Sequence, residues 1–193
     1  MFDSRDPRVL VEDAGGGVVY HRGLIDQATA RQWFEVLRDE VPWQAQRRPM
    51  YARIVDVPRL TAGFRLACEG LPQPLREAAA VLDRRTGEPF NAVGLNYYRD
   101  GRDSVAPHGD KLHMLVARHP VALISLGATR RMTIRPKQPP RRPLHVDLES
   151  GSLLLMSYDS QLHYEHGVPK TNEDVGPRIS LAFRVRPDVD RLP

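Results

Sequence analysis

The sequence predicts an α+β fold in which helices pack on one side of antiparallel sheets arranged as a sandwich or jelly roll. Three observations lead there. Two segments within the first 89 residues carry apolar side chains at helical spacing. From residue 90 the pattern changes to short apolar or alternating runs separated by Gly, Pro, Asp and Asn. No helical segment lies between those runs, and strands joined without crossover helices pair antiparallel. The reading is one domain over 1–193, with a helical front over 1–89 and a jelly-roll core over 90–186.

The first helix is expected over 26–41. Asp26 is a suitable N-cap, because its carboxylate can accept from the free N–H groups of the first turn, and Ile25 is placed to pack back onto that turn. Trp33, Phe34, Leu37 and Val41 then share a face. A second helix is expected over 72–86, where Pro72 and Pro74 suit a start, Leu75, Ala78, Ala79 and Leu82 form a stripe, and Gly87 can end it. Both read as packing elements, and Trp33 and Trp43 as core. Strands are expected in 92–98, 121–127, 129–135, 144–148, 151–158 and 178–186.

Composition narrows the function classes. The chain of 193 residues is 41% hydrophobic and 27% charged, enough apolar material for a core. No apolar stretch is long enough for a membrane helix, and the first residues carry acids where a signal peptide carries a basic and then an apolar run. A cytoplasmic location, as a monomer and away from membranes, is the expectation. One cysteine, Cys68, excludes an internal disulfide framework and a cysteine-based zinc site. The net charge of +4 is a modest bias toward acidic partners.

Seven histidines remain to be sorted. His108 and Asp110 lie one residue apart in a polar segment after a strand, so on an extended backbone both point to the same side and can reach one ion. His166, after a later strand, is a candidate third ligand. Two histidines and one carboxylate on one face of an octahedron leave three open positions, the arrangement of non-haem Fe(II) oxygenases. A solvated turn is the competing reading of the H-x-D alone, and His113, His119 and His145 read as ordinary surface residues. In the last strand Arg178 and Arg184 are six apart and share a face, while Ile179, Leu181 and Phe183 share the other. Inward guanidinium groups need an anion, and a small dicarboxylate fits; the outer face of an edge strand is the alternative.

Six motifs in order over half the chain then resemble the AlkB family of Fe(II)- and 2-oxoglutarate-dependent dioxygenases. They are L-N-x-Y at Leu95–Tyr98, H-x-D at His108–Asp110, S-L-G-A-T-R at Ser125–Arg130, G-x-L-L-x-M at Gly151–Met156, Q-x-x-x-x-H-x-V-P-K at Gln161–Lys170 and R-x-S-L-x-F-R at Arg178–Arg184. The P-R-L-T-A of Pro58–Ala62 is similar to the segment before the substrate lid in relatives acting on DNA and RNA. The resemblance implies a double-stranded β-helix, a jelly roll with the metal at its mouth, and Fe(II) held by His108, Asp110 and His166. It implies 2-oxoglutarate paired through its distal carboxylate with Arg178 and contacted by Asn96, Tyr98 and Arg184. The implied reaction consumes O₂, yields succinate and CO₂, and removes N-methyl groups from nucleic-acid bases as formaldehyde.

The front half departs from that pattern. After Ala62 the relatives usually carry a Tyr-Gly turn and an aromatic-rich loop that clamps a flipped base, whereas this chain has G-F-R-L-A-C-E-G-L-P-Q-P-L, so the clamp is expected to be shortened or lost. The repair enzymes usually place an acid within two residues of the H-x-D, and here Lys111 and Leu112 follow. Features favouring nucleic acid are the stretch 130–142, with six basic and no acidic residues in thirteen, and Arg48, Tyr51 and Arg59 as candidate substrate contacts. The alternative is a hydroxylase or demethylase of protein or small molecules on the same scaffold.

Overall fold

The computed structural model describes residues 6–50 and 53–187. Two antiparallel sheets face one another. The larger has eight strands in the order β1 (Arg8–Val11), β2 (Val18–His21), β10 (Leu153–Met156), β7 (Val121–Gly127), β12 (Arg178–Arg184), β5 (Ala92–Tyr98), β4 (Arg53–Arg65) and β3 (Gln44–Met50). The smaller has four, in the order β6 (Val105–His108), β11 (Tyr164–Val168), β8 (Arg130–Pro136) and β9 (Leu144–Leu148). This is the jelly roll of a double-stranded β-helix, as expected. No helix among the described residues is long and apolar enough to cross a membrane.

Alternation along the central strands divides the interior into two cores. On β7, Ala122, Ile124 and Leu126 face the helices, while Val121 and Leu123 face the smaller sheet. Helices α1 (Gln27–Glu40) and α2 (Gln73–Thr86) cover the outer face of the large sheet with Trp33, Phe34, Leu37, Leu75, Ala78 and Leu82. Asp26 caps α1 by accepting from the N–H groups of Ala28 and Thr29, and Gly87, in the left-handed region at φ 68°, ends α2. The second core, between the sheets, holds Tyr98, Met132, Ile134, Val146, Leu154 and Val168.

The front half is not simply helical. Four strands, β1 to β4, come from residues before 66 and sit in the same large sheet as the later strands, so the expected division at residue 89 does not stand. Two of these strands are only four residues long, and β4 contains Pro58 and Gly63, which weaken a strand pattern in sequence. Pro58 falls where the β3–β4 register shifts, between the pairs Ala45–Leu60 and Arg47–Asp56. Beyond that bulge β4 pairs only with β3, because its pairing with β5 runs from Leu60 to Arg65. The hairpin therefore projects past the sheet as an arm.

Candidate active site

Strand register assembles the site. His166 on β11 is directly opposite His108 on β6, and their rings lie 4.6 Å apart. Asp110, two residues beyond His108, completes a group whose potential ligand atoms all fall within 4.8 Å of one another. Gly109, between the two, has no room for a side chain: a Cβ would come within 2.9 Å of the Gln161 carbonyl oxygen and 3.2 Å of Lys137 Nζ. His108 Nδ1 lies 2.9 Å from the Ala106 carbonyl oxygen, and donation there leaves Nε2 as the lone-pair nitrogen. His166 is 7% exposed, and burial, reinforced by His108, brings its pKa down to about 4. At neutral pH it is the neutral imidazole a metal ion requires.

Asp110 is placed from two sides. Its backbone N–H donates to Gln161 Oε1 at 3.0 Å, and Gln161 sits, buried, on the short helix α3 (Tyr158–His163). Its carboxylate accepts from Arg184 Nε at 2.7 Å and Nη2 at 3.1 Å. Burial pushes the carboxyl up, but Arg184, with His166 and His108, more than offsets this and holds it below the ordinary value. Two imidazoles and an ionised carboxylate, with one open side, make a donor set that fits Fe(II). Replacing Gln161 with Leu leaves the Asp110 N–H unpaired, and Fe(II) affinity, measured by competition with a chelator, should fall roughly tenfold to a hundredfold.

Arg178 is the second feature. It is fully buried, at 0% exposure, opposite Tyr98 on β5 and Gly127 on β7. Nη2 donates to Ser125 Oγ at 2.8 Å, but Nε and Nη1 are buried with no hydrogen-bond partner among the described residues. Burial pulls its pKa below the usual arginine range, with Tyr98 opposing and Arg130 assisting. A buried guanidinium with two unused N–H positions demands an anion, and the fork geometry suits a carboxylate. Tyr98 lies within cation–π distance of both Arg178, at 5.1 Å, and Arg130, at 5.6 Å.

The remaining expected residues fall as follows. Asn96, Tyr98, Arg59, Arg178, Arg184 and the three ligand candidates all line one open pocket of about 850 Å³. Arg184, expected on the co-substrate, lines the pocket and donates to Asp110 and to the Ala182 carbonyl oxygen. Six residues of strand separate it from Arg178, roughly 20 Å of backbone. Arg59, expected on the substrate, donates to Asn96 Oδ1 at 2.7 Å and to the Ser104 carbonyl oxygen at 3.2 Å, so it braces the pocket wall. Arg48 is described only as backbone in β3, and Tyr51 lies outside the described residues.

The basic stretch 130–142 is largely engaged internally. Arg130 is buried and donates to the carbonyl oxygens of Asp100, Asp103 and Pro169, which ties the β5–β6 loop to the end of β11. Arg131 pairs with Asp147, Arg135 with Glu165, and Lys137 donates to the Gln161 carbonyl oxygen. Arg141 and Arg142 stay exposed. Sequence reasoning misses the positioning roles of Gln161, Lys137 and Arg130, although Gln161 and Arg130 stand within two of the six motifs. Among the described residues the pocket lining includes none between Ala62 and Gly94. The β3–β4 arm contributes Gln46, Asp56, Val57, Pro58 and Arg59 instead.

Residues 64–184 match the family model of the 2OG-Fe(II) oxygenase superfamily. The chain is 31% identical over 191 residues to alpha-ketoglutarate-dependent dioxygenase alkB homolog 3 of Homo sapiens, covering 89% of this chain and 67% of that protein. It is 31% identical over 183 residues to DNA oxidative demethylase ALKBH2 of Homo sapiens, covering 83% and 70%. The Arabidopsis thaliana protein of that name is 26% identical over 210 residues, covering 89% and 67%. A His-Asp-His cluster that shares its pocket with a buried arginine fits the metal and keto acid such enzymes use, and the chain belongs to the 2OG-Fe(II) oxygenase superfamily, in its AlkB family, as an Fe(II)- and 2-oxoglutarate-dependent dioxygenase.

Proposed function

We propose that this dioxygenase oxidatively demethylates N-alkylated bases in DNA or RNA, releasing formaldehyde, succinate and CO₂. The carrying observation is one open pocket of about 850 Å³ lined both by the His108–Asp110–His166 cluster and by the buried Arg178, with Lys111, Lys170 and Arg186 also in its lining. That volume is far more than the co-substrate alone needs. The relatives named for DNA oxidative demethylation support the substrate class.

In this reading His108, Asp110 and His166 hold Fe(II), and Arg178 receives the distal carboxylate of 2-oxoglutarate on Nε and Nη1. Asn96, whose Oδ1 is taken by Arg59, keeps its Nδ2 donors for the same ligand. Arg184 keeps Asp110 ionised and oriented. Leu115, Leu123, Met132 and Val168 line the pocket with apolar surface that limits water around the reacting methyl group. Iron and co-substrate together supply the oxidising power: one oxygen atom of O₂ enters succinate and the other the N-methyl C–H bond. The N-hydroxymethyl product then breaks its N–C bond, giving formaldehyde; the hydroxyl proton passes to the ring nitrogen of a base that methylation left neutral, and to solvent from one that methylation made cationic.

Formaldehyde release from oligonucleotides carrying single N-methylated bases, matched to succinate formed, tests the reading. Turnover of 2-oxoglutarate with no formaldehyde from any methylated base would move the substrate to protein or a small molecule. Arg141 and Arg142, exposed at the end of the basic stretch, are candidate phosphate-binding residues. Changing both to Gln should weaken oligonucleotide binding uniformly across sequences and lower its salt slope by about 1 for each phosphate no longer neutralised. The same reading takes the protein as a cytoplasmic monomer. A single cysteine suits a reducing compartment, and the exposed large apolar side chains among the described residues, Val9, Met114, Leu144 and Leu162, come from four different elements.

A further inference from the structure

We infer that Arg186, with Arg65 beside it, forms a phosphate subsite next to the Arg184–Asp110 pair, taking the phosphodiester that adjoins the base under reaction; the inference rests on the demethylase reading. Arg184 and Arg186 both line the pocket, while Val185 between them is buried, as alternation along an extended chain requires. Arg184 grips Asp110, and Arg186 follows two residues later, roughly 7 Å further along the backbone. That span, with the reach of the side chain, is of the order that separates the reacting edge of a base from the phosphate of its own nucleotide.

The backbone of Arg186 is held in place although it lies beyond the end of β12. Asn91, just before β5, donates its N–H to the Arg184 carbonyl oxygen at 3.1 Å. Its Oδ1 accepts from the Arg186 N–H and its Nδ2 donates to the Arg186 carbonyl oxygen, both at 2.8 Å, so the side-chain amide continues the β5–β12 ladder by one step. The Val116 N–H donates to the Val185 carbonyl oxygen at 2.9 Å. A backbone fixed by four hydrogen bonds leaves only the side chain to be ordered when a ligand arrives.

Charge at this place is one-sided. Arg65 ends β4 opposite Ala92, and Ala92 is opposite Arg184 on β12, so the three share one face of the sheet. Arg65 donates from Nη2 to the Pro187 carbonyl oxygen at 3.2 Å, which brings its guanidinium to the residue after Arg186. Three guanidinium groups thus meet one carboxylate, Asp110, and Arg184 already holds it with two nitrogens. Neither Arg65 nor Arg186 has an ion-pair partner among the described residues. Burial and Arg184, opposed by Asp110 and assisted by Arg65, bring the pKa of Arg186 below the usual arginine range. A half-buried cation short of counter-charge is relieved by an anion in the pocket. A phosphodiester presents two oxygens to a guanidinium fork. Arg178, which receives the co-substrate's distal carboxylate in the proposed reading, stands eight residues back, roughly 26 Å of backbone, farther than one small dicarboxylate spans.

The test uses the iron-loaded enzyme and three oligonucleotides of one sequence around the N-methylated base that releases formaldehyde fastest. One strand is all phosphodiester, and the others carry a neutral methylphosphonate at the linkage 5′ or 3′ of that base. Arg186→Gln should lower kcat/KM for formaldehyde release about tenfold on the all-phosphodiester strand, through KM, and leave the KM for 2-oxoglutarate in place. One of the two methylphosphonates should cost the unaltered enzyme a similar factor and cost the variant nothing further, because both changes remove the same contact. Arg65→Gln should act in the same direction and more weakly. Equal losses from Arg186→Gln on all three strands, or no loss on any, overturn the subsite and leave the demethylase reading standing, as does a shift in the 2-oxoglutarate KM alone. No formaldehyde from any methylated base overturns the demethylase reading and the subsite with it.

Discussion

Replacing His108 or Asp110 with alanine is expected to abolish both iron retention and turnover, and the two variants should differ in stability. His108→Ala removes a ligand whose ring lies toward solvent and makes one backbone hydrogen bond. Its metal-free stability should stay close to that of the unaltered protein. Asp110→Ala also strips Arg184 of its partner, in a pair whose side chains are only 16% and 10% exposed. An uncompensated guanidinium at that depth should lower stability by about 3 kcal/mol. Metal content by elemental analysis, succinate formation and denaturant unfolding of metal-free protein check the three parts. His119→Ala removes a side chain that pairs with Glu88 and belongs neither to the cluster nor to the pocket lining, and should leave iron content and turnover intact.

The second large effect belongs to Arg178. With Nε and Nη1 lacking hydrogen-bond partners among the described residues, the fully buried Arg178 is a cation that no carboxylate among those residues pairs with. Arg178→Met keeps most of the volume and removes that charge. It should raise the KM for 2-oxoglutarate about a hundredfold, near 3 kcal/mol, because the distal carboxylate loses its charged donors. The same variant should be at least as stable as the unaltered protein without co-substrate, and should lose the rise in Tm that 2-oxoglutarate gives. Normal co-substrate affinity in the variant would remove Arg178 from its role.

How much of this is legible in the sequence depends on where the determinants lie in the chain. Helix α1 follows from Asp26 and its apolar face, and β5, β7 and β9 from runs that alternate or are wholly apolar, so these elements fall within a residue or so of expectation. The placement of Arg178 and Arg184 on one strand face follows from their even spacing. By contrast β6 and β11, the strands that carry His108 and His166, read V-A-P-H and Y-E-H-G-V. A proline in one and a charge and a glycine in the other hide any periodicity, and they become strands through pairing with neighbours distant in sequence. The grip of Arg184 on Asp110 spans 74 positions, and no local pattern encodes it. Arg130 is hidden for a related reason: a guanidinium buried against three carbonyl groups looks, in sequence, like one more charge in a basic surface stretch.

The opposed placement of His108 and His166 also changes what the metal does for the scaffold. Strand β6 is one of the two edge strands of the smaller sheet, four residues long, and mostly open to solvent. An ion gripping one histidine from this margin and one from the adjacent strand acts as a rivet through the ladder. Withdrawing it should let β6 peel away first while β8 and β11 hold. Hydrogen exchange is therefore expected to quicken at 105–108 on chelation and to stay slow at Met132 and Ile134, so that iron loss would register as a frayed margin of the barrel before any change in the bulk fold.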